Sequence, residues 1–260
     1  MSGVHDDLVR AQFRAQAVTF TDEGFAARGL AWIVAQLAPA SGELVLDVAA
    51  GAAHLGRALA PHVAHVCALD LTPEMLRQGQ RLAAAQRLPN VAFLVGDATA
   101  LPWAAQQFDL VVCRLALHQV ADPAAAVREM LRATRPTGRI GITDMIADDD
   151  RVVAAEANRL ERLRDPSHNR TLTLTEIRGL LTGHGAGITA TARRDHPLDL
   201  EDWMSRTGTP IPARSAIRER LDQELAGGQA TGLRPYRRLD GTVSLTHQWV
   251  TVTAVRHRRG

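Results

Sequence analysis

The chain has 260 residues, with 30 basic and 28 acidic side chains and a formal net charge of +2. That balance excludes the one-sided positive field on which nucleic-acid binding depends. No apolar run approaches the ~18 residues of a membrane span, and the N-terminus MSGVHDDLVRAQFR carries acids where a signal peptide has an apolar segment. The expectation is a soluble cytoplasmic protein with neither a membrane nor a nucleic-acid partner, and a homodimer is left open. Cys67 and Cys113 both lie inside apolar runs, read as small buried hydrophobes, and no spacing of ligands suggests a metal. The basic tail Arg256-His257-Arg258-Arg259 reads as a solvated terminus.

Residues 1–40 read as helical, with Leu8, Ala11, Ala15 and Val18 at helical spacing and Leu30, Ile33, Val34 and Leu37 repeating it before Pro39. From Leu44, strands and helices alternate. LVLDVA is a buried strand followed by the helix HLGRALAPH, and HVCALDL is the second strand. Thr72 and Asp122 are placed as N-caps, each with proline next, for TPEMLRQGQRLAAAQR and DPAAAVREMLRAT. VAFLVGD, FDLVVCRL and RIGITDMI complete five strands, an alternation that predicts a parallel sheet with right-handed crossovers. The rhythm then changes. An acidic cap and amphipathic helix precede Pro166, and Thr173 and Glu176 form a capping box. GITATARR reads as a strand, DLEDWMSR and ARSAIRERLDQEL as helices, and THQWVTVTAV as a closing strand. The predicted fold is α/β: a doubly wound, mostly parallel seven-stranded sheet with an antiparallel C-terminal strand and helical caps. The whole chain, 1–260, is taken as one domain: N-terminal helices 1–40, a ligand-binding core 43–146, and two long segments, 147–172 and 197–244, placed over the site.

Chemistry concentrates at the strand ends. Gly51-Ala52-Ala53-His54-Leu55-Gly56 is close to G-x-G-x-x-G, the turn that lets a nucleotide-like ligand approach bare backbone. Asp47 sits inside the strand before it, Asp70 ends the next strand where ribose hydroxyls are held, and Gly96-Asp97-Ala98 ends the third. Three acids at three successive strand ends face one edge of the sheet.

The ordered set VLDVAAGAAHLG, ALDLTPEML, VGDATALPW, FDLVVCRLALHQVADP and EMLRATRPTGRI resembles class I methyltransferases that use S-adenosylmethionine (SAM). Within them it is similar to the small-molecule branch that includes the ubiquinone/menaquinone-biosynthesis enzymes. The resemblance covers about residues 11–146. It implies SAM as cofactor, S-adenosylhomocysteine (SAH) as its product, and a small organic acceptor in secondary or cofactor metabolism, methylated on O, C or N. It also implies that Asp47, Ala49 and Gly51 lie near the methionine part. Asp70 and Leu71 would hold the ribose with Met75 packed nearby, Gly96, Asp97 and Ala98 the adenine, and Arg114 and Leu115 would line the pocket.

His118, after the fourth strand, is the candidate general base, since a histidine titrating near neutrality suits the removal of a proton from the acceptor. His168, in the turn Asp165-Pro166-Ser167-His168, is a second candidate. Phe20 (with Phe13), Asp144 and Trp203 (with Met204) are candidate acceptor or lid contacts. His54 is expected to pack or to touch the cofactor carboxylate, and Trp103 to anchor its loop. Where the family carries D/E-x-G-x-G-x-G, this chain has Ala49 and Ala53 in place of two glycines. That departure motivates a rival in which bound SAM or SAH guides a cyclisation or rearrangement without methyl transfer. A nicotinamide oxidoreductase would leave Asp47 and Asp97 unexplained. A ligand-binding protein without catalysis is the last rival.

Overall fold

A computed structural model describes residues 2–22 and 24–256; the tail residues 257–259 lie outside them. Helix α1 (Ser2–Gln16) and α2 (Leu30–Leu37) precede strand β1 (Leu44–Val48). There follow α3 (His54–Leu59), β2 (His65–Asp70), α4 (Pro73–Ala85), β3 (Val91–Val95), β4 (Phe108–Arg114), α5 (Pro123–Ala133) and β5 (Thr134–Met145). The remainder is α6 (Arg151–Arg164), α7 (Leu174–Gly183), β6 (Ala186–Asp199), α8 (Leu200–Ser205), α9 (Ile211–Leu225), the two-residue β7 (Tyr236–Arg237) and β8 (Val243–Arg256).

The seven long strands form one sheet in the order β3-β2-β1-β4-β5-β8-β6, and β7 adds a short pairing to β8. β1 to β5 pair in parallel, while β8 runs antiparallel to both β5 and β6. The expected doubly wound α/β fold is therefore present. Its chain leaves β1 in opposite directions, toward β2 and, later, toward β4. That switch opens a crevice at the carboxyl ends of β1 and β4, the place where such sheets bind ligands.

Alternation along β1 and β4 loads both faces of the sheet. Leu46, Val48, Val111 and Cys113 join Met130, Ile140 and Ile142 on the α5 side. Val45, Leu110 and Val112 pack with Ile33 and Leu59 on the α2 and α3 side. Each large side chain removed from water here contributes about 1.5–3 kcal/mol. A separate cluster holds the caps together: Leu160 of α6, Trp203 and Met204 of α8, and Ile217 and Leu221 of α9.

Asp122 caps α5 by accepting from the Ala125 N–H at 2.9 Å, and Thr173 and Glu176 form the full capping box of α7. Thr72 does not cap: its side chain makes no bond to the start of α4, where Pro73 sets the first turn and leaves one fewer N–H to satisfy. The late strands are longer than expected. β6 runs on to Asp199 and β8 begins at Val243, because the two pair from Ala186↔Arg256 to Asp199↔Ser244, with one register shift between Ile188 and Ala190. Polar residues at the ends of both strands hid that pairing. β5 begins at Thr134, before the Pro136-Thr137-Gly138 turn, and its pairing with β4 is interrupted between Phe108 and Leu110.

Candidate functional site

At the carboxyl edge of β1, β2, β4 and β5 lies a cavity of about 1030 Å³. It lies at the upper end of the range for small-molecule sites. One half is built from short loops at successive strand ends, the other from the caps and β8.

The first half begins where β1 ends. Ala49, Gly51 and Ala53 all take left-handed backbone, at φ 52, 56 and 53. Glycine adopts this region freely, whereas each alanine pays about 1–2 kcal/mol for it. The chain thus keeps the turn despite its two methyl-bearing residues. Gly56 is needed for another reason: a Cβ there would stand 3.0 Å from both Asp47 Oδ2 and Val66 Cγ1, so only glycine lets α3 lie this close to the sheet.

The four strand-end acids then divide. Asp70 lines the cavity. Its Oδ2 accepts from the Gly51 N–H at 2.7 Å and its Oδ1 from the Thr72 N–H at 2.8 Å. Burial pushes its carboxyl above the ordinary value, against the pull of those N–H groups. Each oxygen retains acceptor capacity, which suits a pair of vicinal hydroxyls. Asp97 also lines the cavity; its Oδ1 takes both the N–H and the hydroxyl of Thr99, leaving Oδ2 without a protein donor. Leu71, Met75, Gly96 and Ala98 complete this wall.

Asp47 and Asp144 differ. Asp47 is 1% exposed and absent from the cavity wall; Oδ2 accepts the Gly56 N–H at 2.8 Å, tying β1 to α3. Burial raises its pKa to about 7, opposed by that N–H and by Arg114. Asp144 is likewise off the wall, which corrects its expected contact with the acceptor. It instead holds His118: Oδ1 meets Nδ1 at 2.7 Å and Oδ2 accepts the His118 N–H at 3.3 Å. An acid inside a parallel strand points into the packed face when its neighbours face the other layer, and the sequence does not tell these cases apart.

His118 lines the cavity. Since a carboxylate only accepts, Nδ1 carries the hydrogen and Nε2 is the nitrogen left for a ligand. Burial opposes the imidazolium, but the charge and hydrogen bond of Asp144 outweigh it, so His118 titrates above the usual 6.5. His168 stands nearby, ring centroids 5.6 Å apart. Asn158 Oδ1 accepts from the Thr171 N–H at 2.7 Å, so the 2.9 Å contact with His168 Nε2 makes that nitrogen the donor. Burial, with His118 and Arg164, lowers His168 to about 3. It is a neutral wall residue bonded to α6.

Arg114 and Leu115 line the junction of the two halves. Leu115 sits at φ 51, rare for a branched residue, with its N–H donating to Thr143 at 2.7 Å. Burial lowers Arg114 to about 10, although Asp47 and Asp144 support its charge. Phe20 packs toward His54 at 6.1 Å and Phe13 at 6.2 Å, beside Met75 at the first half of the cavity. His54 lines the cavity, bonds the Thr21 carbonyl at 3.0 Å, and is lowered to about 4 by burial and Arg57. Trp203 is fully buried in the cap core with one side on the cavity, and Arg164 stacks on it at 4.8 Å. Trp103 packs edge-on to Phe108 in its loop.

The residues that sequence reasoning missed belong to the second half. Phe25, Arg28, Glu161, Arg206, His247 and Trp249 all line it. The signal available for β8 was its alternation: His247 and Trp249 fall on one face, opposite Val250 and Val252. Nothing local marks the others. Among the described residues no group of His, Cys, Asp or Glu could hold a metal, and no helix is long and apolar enough to cross a membrane.

Comparison with known proteins agrees with this geometry. Residues 45–138 match the family model described as a methyltransferase domain. Over 173 residues the chain is 34% identical to the uncharacterised methyltransferase YcgJ of Bacillus subtilis, covering 66% of this chain and 68% of that protein. The YcgJ crystal structure superimposes with a TM-score of 0.81 at 26% identity, covering 90% of this chain and all of that one. A demethylmenaquinone methyltransferase of Renibacterium salmoninarum is 41% identical over 103 residues, which span 40% of this chain and 41% of that enzyme. The fold and the crevice define a Rossmann-like transferase. The chain belongs to the class I SAM-dependent methyltransferases.

Proposed function

We propose that this chain transfers the methyl group of SAM to an O, C or N atom of a small organic acceptor in the cytoplasm, with His118 as general base. The observation that supports the reading most is one cavity lined by both the Asp70 and Asp97 cradle and by His118, which Asp144 holds from behind the wall.

The residues fit the cofactor. Asp70 is preset by two backbone N–H groups to take ribose hydroxyls, and Oδ2 of Asp97 is open to an adenine amine. Gly51 presents bare backbone beside Met75, whose Cε lies 3.0 Å from where a Cβ would stand. When bound, SAM supplies an electrophilic methyl group on a sulfonium sulfur. The chain's own part is to align the acceptor and exclude water. His118 Nε2 receives the acceptor's proton, and Asp144 fixes the tautomer and stabilises the imidazolium that results. Asp144 is a positioning residue, because it reaches the acceptor only through His118. His168, held neutral, orients the acceptor in place of sharing the proton.

The rival that uses bound cofactor without methyl transfer rested on Ala49 and Ala53. Both keep left-handed backbone, so the loop offers no ground to prefer it. Calorimetry with SAM, SAH and NAD tests the cofactor: binding of the two sulfur ligands and not NAD is expected, and no heat with either overturns the reading. Mass spectrometry over a panel of small hydroxylated and amino acceptors then decides the reaction. One added methyl supports transfer, whereas an isomer of unchanged mass returns the rival.

A further inference from the structure

The acceptor half of the cavity holds arginines with unpartnered donors. Arg206, just after α8, lays its guanidinium 4.0 Å from the Phe25 ring. Its Nε and Nη2, which form one edge of the fork, are buried without a hydrogen-bond acceptor. Asp202 is its nearest carboxylate, at 3.5 Å, and is itself solvated, with a side chain 56% exposed. The same half holds Nε of Arg114 and Arg164 and Nε1 of Trp203 and Trp249, all buried without an acceptor among the described residues. Buried donors are nearly always satisfied in folded proteins, so six orphaned N–H groups around one cavity call for an explanation.

The buried carboxylates nearby, Glu161 and Asp165, each face a neighbouring cation or donor. Glu161 meets Arg164 at 3.2 Å and His247 at 3.1 Å. Burial works against its charge, yet Arg164 and His247 hold its carboxyl well below the ordinary range. Asp165 is 1% exposed and accepts both the N–H and the hydroxyl of Ser167. Arg28, exposed and on the cavity wall, has no ion-pair partner among the described residues. Burial lowers Arg206 to about 10, and Arg164 and Arg28 both add to the repulsion. Around these charges stand flat apolar surfaces. Trp249 stacks on His196 at 4.1 Å and meets Phe25 edge-on at 5.7 Å, with Trp203 beyond.

We infer that the methyl acceptor is an organic anion, a carboxylate or sulfonate on a planar apolar body, with its charge held by Arg206 and Arg28 and its body along the wall that Phe25 lines and the buried Trp203 and Trp249 back. Arg206 already lines the cavity, and a two-oxygen anion matches the unpartnered Nε and Nη2 edge of its fork. Arg164 adds charge but stays bound to Glu161. The inference rests on the methyl-transfer reading, since it names that reaction's acceptor, but its test does not require turnover.

The probes are 8-anilinonaphthalene-1-sulfonate and its uncharged congener N-phenyl-1-naphthylamine, titrated by fluorescence into full-length protein saturated with SAH. Wild type is expected to bind the sulfonate. Arg206→Met should weaken it at least 10-fold while changing the neutral probe less than 2-fold, the loss of one charged fork. Arg28→Gln, at an exposed side chain with no ion pair among the described residues, should weaken the sulfonate several-fold and decides the matter if the Arg206 variant misfolds. Equal losses for both probes, no loss in either variant, or no sulfonate binding to wild type overturns the inference. SAH binding, measured separately by calorimetry, reports on the methyltransferase reading, so failure of one is not mistaken for failure of the other.

Discussion

The two halves of the cavity are built by opposite routes. The half proposed for the cofactor comes from loops that follow β1, β2 and β3 within about fifty residues, and its polar groups include acids already set by backbone N–H bonds, as Asp70 is by Gly51 and Thr72. The half proposed for the acceptor draws on residues as distant as Arg28, His118, Glu161, Arg206 and Trp249, and it includes arginines with donors unspent. A preorganised anionic cradle suits one constant ligand. A wall assembled from caps and a late strand can change from one relative to another without disturbing the sheet. On the proposed reading, cofactor and acceptor occupy different parts of one cavity.

The largest expected effect falls on the seam between the halves. His118→Ala should cut turnover by about 10²–10⁴ with whichever acceptor the mass-spectrometric panel identifies, while SAH affinity by calorimetry stays within about 2-fold. Equal losses in both would move His118 to the cofactor side. Since its pKa is raised above 6.5 in the folded protein, the neutral base forms only as pH rises past that higher value. The acid limb of the rate profile should lie above pH 6.5 and shift downward in Asp144→Asn. By the same sign, the pair's contribution to stability is full below 6.5 and lost as pH climbs through the raised value.

Next comes the cradle itself. Asp70→Ala removes the cofactor's partner and orphans the N–H groups of Gly51 and Thr72, so SAH should bind about 10–100-fold more weakly, or 1.4–2.8 kcal/mol. Unaltered affinity would remove Asp70 from the site. Asp47, one strand over, should behave differently because it contacts α3 and not the cavity. Its folded pKa of about 7 against 3.8 means that its ionisation costs stability as pH rises through that window. Asp47→Asn should leave SAH affinity nearly unchanged, and its melting temperature relative to wild type should rise between pH 4 and pH 8. The comparison must be made variant against wild type, because His54 and His168, lowered to about 4 and 3, impose the opposite slope on both. The smallest effect is at the turn: Ala49→Gly relieves left-handed strain and should stabilise by about 0.5–1 kcal/mol in thermal unfolding. A loss of stability there would show that the Ala49 methyl contributes more by packing than it costs in φ.

Much of the cofactor half could be read directly from residues near one another in the chain. Apolar runs ending in Asp70 and Asp97, proline-started helices and the small-residue turn after Val48 are local patterns, and parallel β-strands bring consecutive ends to one edge without further information. His118 was legible for the same reason, since it follows β4. What those patterns left undecided was direction. Asp47 and Asp144 carry the same signature as Asp70 and Asp97, but whether such a side chain meets the ligand or a neighbouring element depends on how close α3 comes to β1 and where His118 lies against β5. The acceptor wall was further out of reach. Arg28, Glu161, Arg206 and Trp249 acquire a common meaning only when α6 and α8 pack together and β8 slides antiparallel between β5 and β6. Composition and periodicity decide which faces are buried; long-range packing decides which polar side chains share a cavity, because their proximity costs loop closure and desolvation that no local pattern records.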